Sequence, residues 1–269
     1  MPPSSLPVVP TTDTVEVVYL VYQLYCYGMS ITLRRQDPLA ANLYDLAVTV
    51  APLDLDPSAA TSLADKAYVA IRDRLIMLDI RPGDPIDDYE LAGDLGVGRT
   101  PVREALKRLE GDRLVVSYPR RGTFATGMDI SDLAHISDIR AQLEPLAARR
   151  AAERAVRTAH AELDELASHI QQLDVAQLDR TELMRWDLAV HRAIYRAAGN
   201  PHLEDVLIRY DNLATRIFCL FLDRLPTVDE HVGEHVELLR AIAAGDADQA
   251  DDIAREHVLG FERAIRSVI

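Results

Sequence analysis

The sequence predicts a mainly α-helical protein in which an N-terminal winged helix-turn-helix, made of three helices and a small β wing, is followed by an all-α helical bundle. Apolar residues recur at three- and four-residue steps through most of the chain after residue 62, which is the period of an amphipathic helix. Strand-like patterns are confined to two short runs between residues 114 and 126. With 269 residues and 48% apolar side chains, the chain has room for two packed domains, which we place at 61–127 and 128–269.

Residues 1–60 are predicted to form a poorly ordered N-terminal extension. The segment begins with the proline-rich run MPPSSLPVVP and ends in the linker-like run APLDLDPSAA. Its apolar run at 15–29 lacks a basic leader and is shorter than the ~18–20 residues that span a bilayer. We therefore expect a cytoplasmic protein with no membrane partner. Two alternatives stay open, namely initiation at Met29 and a folded role for 15–45.

The first domain opens with two helices and a turn. Apolar residues follow a helical stripe over 63–78, where an Arg-Pro-Gly-Asp turn ends the helix. A second, short helix is predicted at 89–95, with its two leucines facing inward. A Gly-Val-Gly turn leads to a third helix, for which Thr100 is the predicted N-cap and Pro101 the first helical residue.

The third helix and the wing after it carry a local basic patch. The helix runs to about Glu110, and the strand patterns LVVSY and TFAT follow, joined by a Pro-Arg-Arg-Gly turn. Residues 98–121 hold seven Lys or Arg against three acidic residues, although the whole chain has a net charge of −14. Such an asymmetry is typical of a localised DNA footprint. The alternative is an ordinary solvated basic helix.

We expect the third helix to enter the major groove, because this is the docking geometry of the helix-turn-helix. An arginine on its first turns can bridge guanine O6 and N7, whereas lysine and the wing arginines are better suited to phosphate. A glycine in the wing lets the backbone approach the sugar-phosphate chain. The candidate DNA contacts are Arg99, Thr100, Arg103, Lys107, Arg120, Arg121 and Gly122.

The second domain is predicted to contain helices only. The first of them is capped by Asp129 or Ser131 and runs to about Arg154, with one apolar stripe that ends at Leu146. Short loops between the later helices imply antiparallel neighbours. These helices are predicted at about 159–174, 180–198, 201–224, 229–244 and 246–267.

A metal site is predicted within this bundle. Asp187 and His191 are four residues apart, so a carboxylate and an imidazole share one helix face. His235 and His257 lie on two later helices and can complete a site for Zn, Ni, Mn or Fe. His231, one turn before His235, is a competing ligand. The remaining histidines are expected at the surface, except His135, whose position the pattern leaves open.

Residues 91–126, LAGDLGVGRTPVREALKRLEGDRLVVSYPRRGTFAT, closely resemble the winged-helix signature of the GntR family. The RTPVREAL core at 99–106 is the most specific part, and the resemblance extends over about 62–127. It implies that this domain binds double-stranded DNA.

Three positions depart from the family pattern. Gly98 stands where the family usually has Ser or Thr, so a hydroxyl that contacts phosphate is missing. Arg113 replaces the usual glycine before the first wing strand, and the turn there is expected to be altered. Tyr89 stands where some members have a basic residue that contacts DNA, so this contact is not carried over.

Residues 129–260 resemble the helical ligand-binding domain, often called FCD, of the FadR-type branch of GntR regulators. The matching pieces are IRAQLEPLAARRAA, WDLAVHRAIYRAAGNP, EHVELLRAIAAGD and AREHV. The resemblance implies that Asp187, His191, His235 and His257 bind the metal. It also implies that Arg140 contacts the carboxylate of an effector, with Arg216 as a weaker second candidate. For Arg140 the alternative is an ion pair with Glu144.

The resemblance therefore implies a DNA-binding transcription regulator, most commonly a repressor, and not an enzyme. A homodimer on a near-palindromic operator is expected, with operator affinity set by a small organic acid bound beside the metal. One alternative is a metal-dependent enzyme acting on a small organic acid. Another is a helical interaction protein whose basic face is only solvated.

Overall fold

The computed structural model of the chain describes residues 62–154, 156–173, 178–225 and 228–269. The predictions for 1–60 therefore lie outside the described residues. The described part confirms the predicted fold class, a winged helix-turn-helix followed by an all-α domain. Within it, every helix is too short or too polar to cross a bilayer.

Local capping fixes where the first two helices begin. Helix α1 (Leu63–Ile76) starts with a capping box, in which the Asp65 N–H donates to the Ser62 hydroxyl and the Ser62 N–H donates to the Asp65 carboxylate. Helix α2 (Asp88–Asp94) is capped by the Asp87 carboxylate, which accepts two backbone N–H groups of the first turn. Both caps follow from sequence that places an acidic or hydroxyl residue just before an apolar stripe.

Helix α3 (Arg99–Gly111) begins earlier than predicted. Gly98 is its N-cap, and Thr100 and Pro101 lie inside its first turn, so the prediction of Thr100 as the N-cap is wrong. Glycine has no side chain that can accept a backbone N–H, and α3 has no side-chain cap. The departure at Gly98 therefore removes a helix cap as well as a hydroxyl at the end of α3 that is predicted to contact DNA.

The end of α3 has the turn geometry expected of the glycine that Arg113 replaces in the GntR pattern. Arg113 donates its N–H to the Glu110 carbonyl and Leu114 donates to the Leu109 carbonyl, which is a Schellman arrangement. Arg113 adopts a φ of 63° to make it. The turn is thus retained rather than altered, with an arginine held in the left-handed conformation that glycine adopts more easily.

The wing is a three-stranded antiparallel sheet rather than a two-stranded hairpin. Strands β2 (Val115–Tyr118) and β3 (Gly122–Ala125) pair as predicted, and β1 (Pro85–Ile86) adds to the other edge of β3. The order is β1-β3-β2. Sequence reasoning missed β1 because two residues are too few to show the alternation of a strand.

The core of the first domain forms where α1, α3 and the wing meet. Ile71, Leu75, Val102 and Leu109 are fully buried there. Their partners include Leu213, which belongs to a helix of the second domain. The two domains therefore share apolar contact.

The second domain consists of long helices in the described ranges. Its first helix packs along its last one, and the remaining helices pack against this pair and each other. A short 3-10 turn, Leu222–Arg224, follows the fourth of these helices. The helices are α4 (Asp132–Glu153), α5 (Arg157–Gln172), α6 (Arg180–Ala197), α7 (Pro201–Phe221), α8 (Val228–Ala244) and α9 (Ala247–Arg266).

The inner face of α4 is more polar than the sequence predicts. Leu146, which was expected at the end of an inward apolar stripe, is 42% exposed. The buried side of the helix instead carries Ser137, Arg140 and Glu144, together with small alanines. Leu133 and Ile136, at the start of the predicted stripe, are buried, but the prediction for Leu146 is wrong because the later turns of the helix bury Arg140, Glu144 and alanines.

A proline inside α4 is accommodated by a neighbouring helix. Pro145 has no N–H, so it cannot donate to the carbonyl of Ala141, four residues earlier. Arg255 of α9 donates its Nη1 to that carbonyl at 2.9 Å. Its Nη2 also donates to Asp251 at 3.1 Å, which holds the guanidinium in place. The missing helix bond is thus replaced by a bond between helices.

We expect Gly199→Ala to lower the free energy of unfolding by about 2 kcal/mol, because two unfavourable terms add. Gly199 has a φ of 60°, and an added Cβ would lie 1.2 Å from Nη1 of Arg154. That guanidinium donates to the Ala197 carbonyl at the end of α6 and would be displaced. Urea unfolding followed by circular dichroism measures the change.

Gly245→Ala is the matched control. Gly245 has a φ of 78°, but its added Cβ would meet only a backbone oxygen at 3.8 Å. This control carries the backbone strain alone, about 1 kcal/mol. Equal losses in the two variants would show that the Arg154 contact contributes nothing to stability.

Candidate metal centre and DNA-reading surface

The structure brings together the four predicted metal ligands. Asp187 and His191 face inward from α6, His235 comes from α8, and His257 comes from α9. Asp187 Oδ1 lies 3.9 Å from His191 Nε2 and 3.6 Å from His235 Nε2. The two Nε2 atoms are 3.3 Å apart. All four side chains are buried.

The spacing of these atoms fits a transition metal. One ligand atom from each of the four residues lies within 4.8 Å of the others. Metal–nitrogen bonds of about 2.0–2.1 Å place tetrahedral ligand atoms roughly 3.3 Å apart, and wider coordination geometries spread them further. One carboxylate and three imidazoles form a donor set that suits Zn, Ni, Mn or Fe.

Two carboxylates orient the imidazoles from behind. Glu144 Oε2 lies 3.3 Å from His191 Nδ1, and Glu234 Oε2 lies 3.0 Å from His257 Nδ1. A carboxylate on Nδ1 fixes the tautomer that presents Nε2 to a metal. The Tyr195 hydroxyl also lies 3.3 Å from His191 Nδ1. This outer layer is the arrangement expected around metal-binding histidines, and the donor set therefore fits a bound divalent ion.

Arg140 belongs to the same buried network. Its Nε donates to Glu144 at 2.5 Å, and its Nη2 lies 3.5 Å from Asp211 Oδ1. The Glu144 ion pair, which sequence reasoning left open as the alternative for Arg140, is therefore present. Since Glu144 in turn contacts His191, the guanidinium is linked to a predicted metal ligand through one carboxylate.

Opposing charges tune the buried groups. Burial lowers the pKa of His191, but the Glu144 and Asp211 carboxylates outweigh it and raise the pKa to about 9. Burial raises the pKa of Glu144, but the charges of Arg140 and His191 outweigh it and lower the pKa to about 2. The metal-free protein thus holds a proton on His191 at neutral pH, and a metal must displace that proton to bind.

Sequence reasoning missed part of this network. Asp211 and Asn212 of α7 are buried beside Arg192 of α6, which donates to the Asn212 side chain and lies 3.5 Å from Asp211 Oδ2. Arg192 directly follows His191 in the sequence, and this adjacency is the signal that could have pointed to Arg192. Asp211 and Asn212 stand in an otherwise amphipathic helix without a recognisable motif.

Arg216, the second predicted effector group, lies at the junction of the two domains. It is 1% exposed, and its Nη2 donates to the Thr126 carbonyl at 2.8 Å. Burial lowers its pKa to about 10, so it remains charged at neutral pH. Two ion pairs lie at the same junction, one from Arg209 to Asp112 and one from Arg185 to Asp73.

The predicted DNA contacts are exposed residues of the third helix and the wing. The third helix carries Arg99 and Arg103 with side chains that are 58% and 72% exposed, and both face Asp88 of α2. In the wing, the Arg121 N–H donates to the Tyr118 carbonyl, which closes a turn with Arg120 at a φ of 64°. The other predicted contacts are exposed as well, namely Thr100, Lys107 and Gly122.

Among the described side chains, the cluster of possible metal ligands includes none of the remaining histidines. His135 is exposed, which answers the question that the sequence left open. His160 Nε2 contacts the Ala151 carbonyl, and His169 packs against Trp186. The side chain of His231, the competing ligand, lies outside the described residues.

Comparisons with known proteins agree with this architecture. Residues 63–125 match the family described as bacterial regulatory proteins, gntR family, and residues 135–260 match the FCD domain. A helix-turn-helix transcriptional regulator of Agrobacterium vitis, from the TAR-I ttuE-ttuC' intergenic region, is 31% identical over 57% of this chain and 90% of its own length. The transcriptional repressor GlaR of Escherichia coli is 26% identical over 71% of this chain and 90% of its own length.

Solved structures show the same fold. The E. coli protein McbR/YncC superposes with a TM-score of 0.68 over 77% of this chain and 98% of its own, at 23% sequence identity. A putative GntR transcriptional regulator from Rhodococcus sp. RHA1 gives a TM-score of 0.61 over 78% of this chain and 100% of its own, also at 23% identity.

Proposed function

Because this chain belongs to the GntR family of bacterial regulatory proteins and carries an FCD domain, we propose that its affinity for DNA is controlled by a small carboxylate bound beside a divalent metal. Like these relatives, the protein is a DNA-binding transcriptional regulator, and it is not an enzyme. We further propose that it is a homodimeric repressor on a near-palindromic operator. The name of GlaR, a repressor, supports that direction of control.

The observation that carries the proposal is the buried cluster of Asp187, His191, His235 and His257. Burying four such groups is unfavourable unless something neutralises and organises them. A divalent ion does both, and the carboxylates behind two of the imidazoles already hold Nε2 in the ligating orientation.

Effector binding is proposed at this metal. A bound divalent ion supplies a Lewis-acidic position to which a carboxylate or hydroxyl oxygen of a small organic acid coordinates. The contacts of Arg140 to Glu144 and Asp211 use Nε and Nη2. A guanidinium has further donors, and we assign Nη1 to the effector carboxylate. We propose Arg216 as a second basic group for the effector, through its N–H groups other than the Nη2 that donates to the Thr126 carbonyl at the domain junction.

Helix α7 is the proposed route from sensor to DNA. Asp211 and Asn212 lie on its sensor side, whereas Arg209, Leu213 and Arg216 contact the winged domain. An effector that shifts the charge balance around Asp211 therefore acts on the helix that supports the DNA-binding domain. Coupling of this kind is typically worth about 1–3 kcal/mol, or roughly 5- to 150-fold in operator affinity.

A mobility-shift assay tests the proposal. The probe is DNA from upstream of the protein's own gene, with and without a chelator and with a panel of sugar acids, dicarboxylates and hydroxy acids. We expect at least one acid to change the retarded fraction, and the chelator to abolish its effect. Binding that ignores every acid and the chelator alike would overturn the sensor proposal while leaving DNA binding intact.

The alternative of a metal-dependent enzyme requires a general base beside the cluster of Asp187, His191, His235 and His257. Glu234, the acidic residue that directly precedes His235 in the sequence, would be a candidate general base, but its carboxylate contacts His257 Nδ1. A base in that position orients a ligand rather than facing a substrate.

A further inference from the structure

We propose that Asp88 is a positioning residue of the DNA-reading surface, which holds Arg99 and Arg103 in a fixed arrangement and raises the preference for operator over other DNA. The inference rests on the proposed role of those two arginines in DNA contact. It assigns a DNA-recognition role to an acidic residue, which a search for clusters of Lys and Arg would not find.

The geometry places one carboxylate behind two guanidinium groups. Arg99 Nη2 donates to Asp88 Oδ1 at 2.9 Å, and Arg103 Nε lies 3.6 Å from Asp88 Oδ2. Each oxygen therefore faces a different arginine. The Asp88 side chain is 23% exposed, less than half the exposure of either partner.

Asp88 is available to contact Arg99 and Arg103 because Asp87 provides the N-cap of α2. Asp87 accepts the N–H groups of Tyr89 and Glu90, which leaves the Asp88 carboxylate at the first position of α2. From there it reaches across to the start of α3. The turn between α2 and α3 thus brings an acidic residue to the two arginines.

The carboxylate changes how the arginines meet DNA. Two like charges four residues apart on a helix repel each other, and an anion between them offsets this repulsion. Side chains that are already ordered lose less conformational entropy on binding. A guanidinium has five N–H donors, so one contact to Asp88 leaves others directed at guanine O6 and N7.

The same charge weakens contact with phosphate. On a random DNA sequence the two arginines contact only phosphates. The nearby Asp88 carboxylate repels these phosphates, and no base contact offsets the repulsion. On the operator the ordered arginines gain base contacts that offset the repulsion. Asp88 therefore lowers non-specific affinity more than operator affinity and raises their ratio, which is the quantity that decides occupancy in a genome.

The test compares Asp88→Asn with wild type on two duplexes of equal length. One duplex is selected by wild-type protein from a random-sequence pool, and the other is its scrambled sequence. We expect the variant to bind the scrambled duplex about threefold more tightly and to lose about five- to tenfold in the ratio of the two dissociation constants. Asp88→Glu, which keeps the charge, should recover much of the ratio.

Glu90→Gln is the matched control, because it removes one exposed acid from the same helical turn. Among the described residues, Glu90 makes no ion pair with either arginine. An unchanged ratio in Asp88→Asn, or an equal loss in Glu90→Gln, overturns the proposal. If Arg103→Ala binds the selected duplex as tightly as wild type, the arginine role itself is wrong, and the two failures are thereby distinguished.

Discussion

His235→Ala is expected to bind a divalent metal at least about a hundredfold more weakly than wild type, since even the outer partners of metal ligands contribute roughly 10- to 100-fold. His235 is 0% exposed, and its Nε2 faces both His191 Nε2 and Asp187 Oδ1. Removing the imidazole deletes the ligand that α8 contributes to the cluster of described side chains. Isothermal titration with Zn²⁺ and Ni²⁺ measures the loss.

The same substitution should remove the stabilisation that metal gives to the fold. An ion present at a hundred times its dissociation constant raises the free energy of unfolding by about 2.7 kcal/mol. Wild-type protein should therefore melt at a higher temperature when metal is added, and His235→Ala should not respond. Differential scanning calorimetry with and without chelator gives the comparison.

The pH dependence of metal binding follows from His191. Its pKa of about 9 lies above the value of a free imidazole, so below pH 9 a proton occupies a ligand and competes with the metal. Apparent affinity should rise with pH and level off above about 9. Titration in two buffers of different ionisation enthalpy should show proton release at neutral pH.

His202→Ala is the control for the metal experiments, because His202 is exposed at the start of α7 and away from the cluster. It should bind metal as wild type does. Wild-type metal affinity in His235→Ala would contradict the assignment of this imidazole as a ligand.

Arg103→Ala is expected to reduce operator affinity by about 10- to 100-fold, as for the loss of one bidentate arginine contact of 1–3 kcal/mol. The Arg103 side chain is 72% exposed, whereas Val102 and Leu106 of the same helix are buried in the core. It has little packing to lose, so the fold should be retained. Fluorescence anisotropy on the operator, with circular dichroism as the folding check, measures the effect.

Arg108→Ala removes one positive charge from the same helix but from another face. Arg108 pairs with Asp65 at 2.6 Å and lies over the Tyr68 ring, so it is turned toward α1. If loss of charge alone weakened binding, the two variants would behave alike. We expect Arg108→Ala to keep most of its operator affinity.

Patterns with a period could be predicted from the sequence, whereas features set by tertiary contacts could not. The helices follow from spacing, and so does the pairing of Asp187 with His191, which must share a helix face. The choice of His235 and His257 as the other two predicted metal ligands rested on the resemblance to the FCD domain. Strand β1 escaped prediction because it is short. The N-cap at Gly98 escaped because a glycine at that place carries no capping side chain.

The polar layer around the predicted metal ligands was harder to predict. Leu146 looked like a core residue, yet the helix buries Arg140 and Glu144 instead. A helix-period argument treats charged residues as solvent-facing, and only the neighbouring Asp211 and His191 make their burial favourable. Such partners lie far apart in sequence, so no local pattern connects them.

The bond from Arg255 to the Ala141 carbonyl couples position 255 to position 145, because the effect of a mutation at one depends on the residue at the other. A mutation of Arg255 leaves a carbonyl of α4 without its donor only while Pro145 is present, because any other residue there restores the ordinary helix bond. The arginine therefore matters for this carbonyl only alongside the proline. A relative with another residue at position 145 would be free to change the arginine, whereas in this chain the change leaves the carbonyl without its donor.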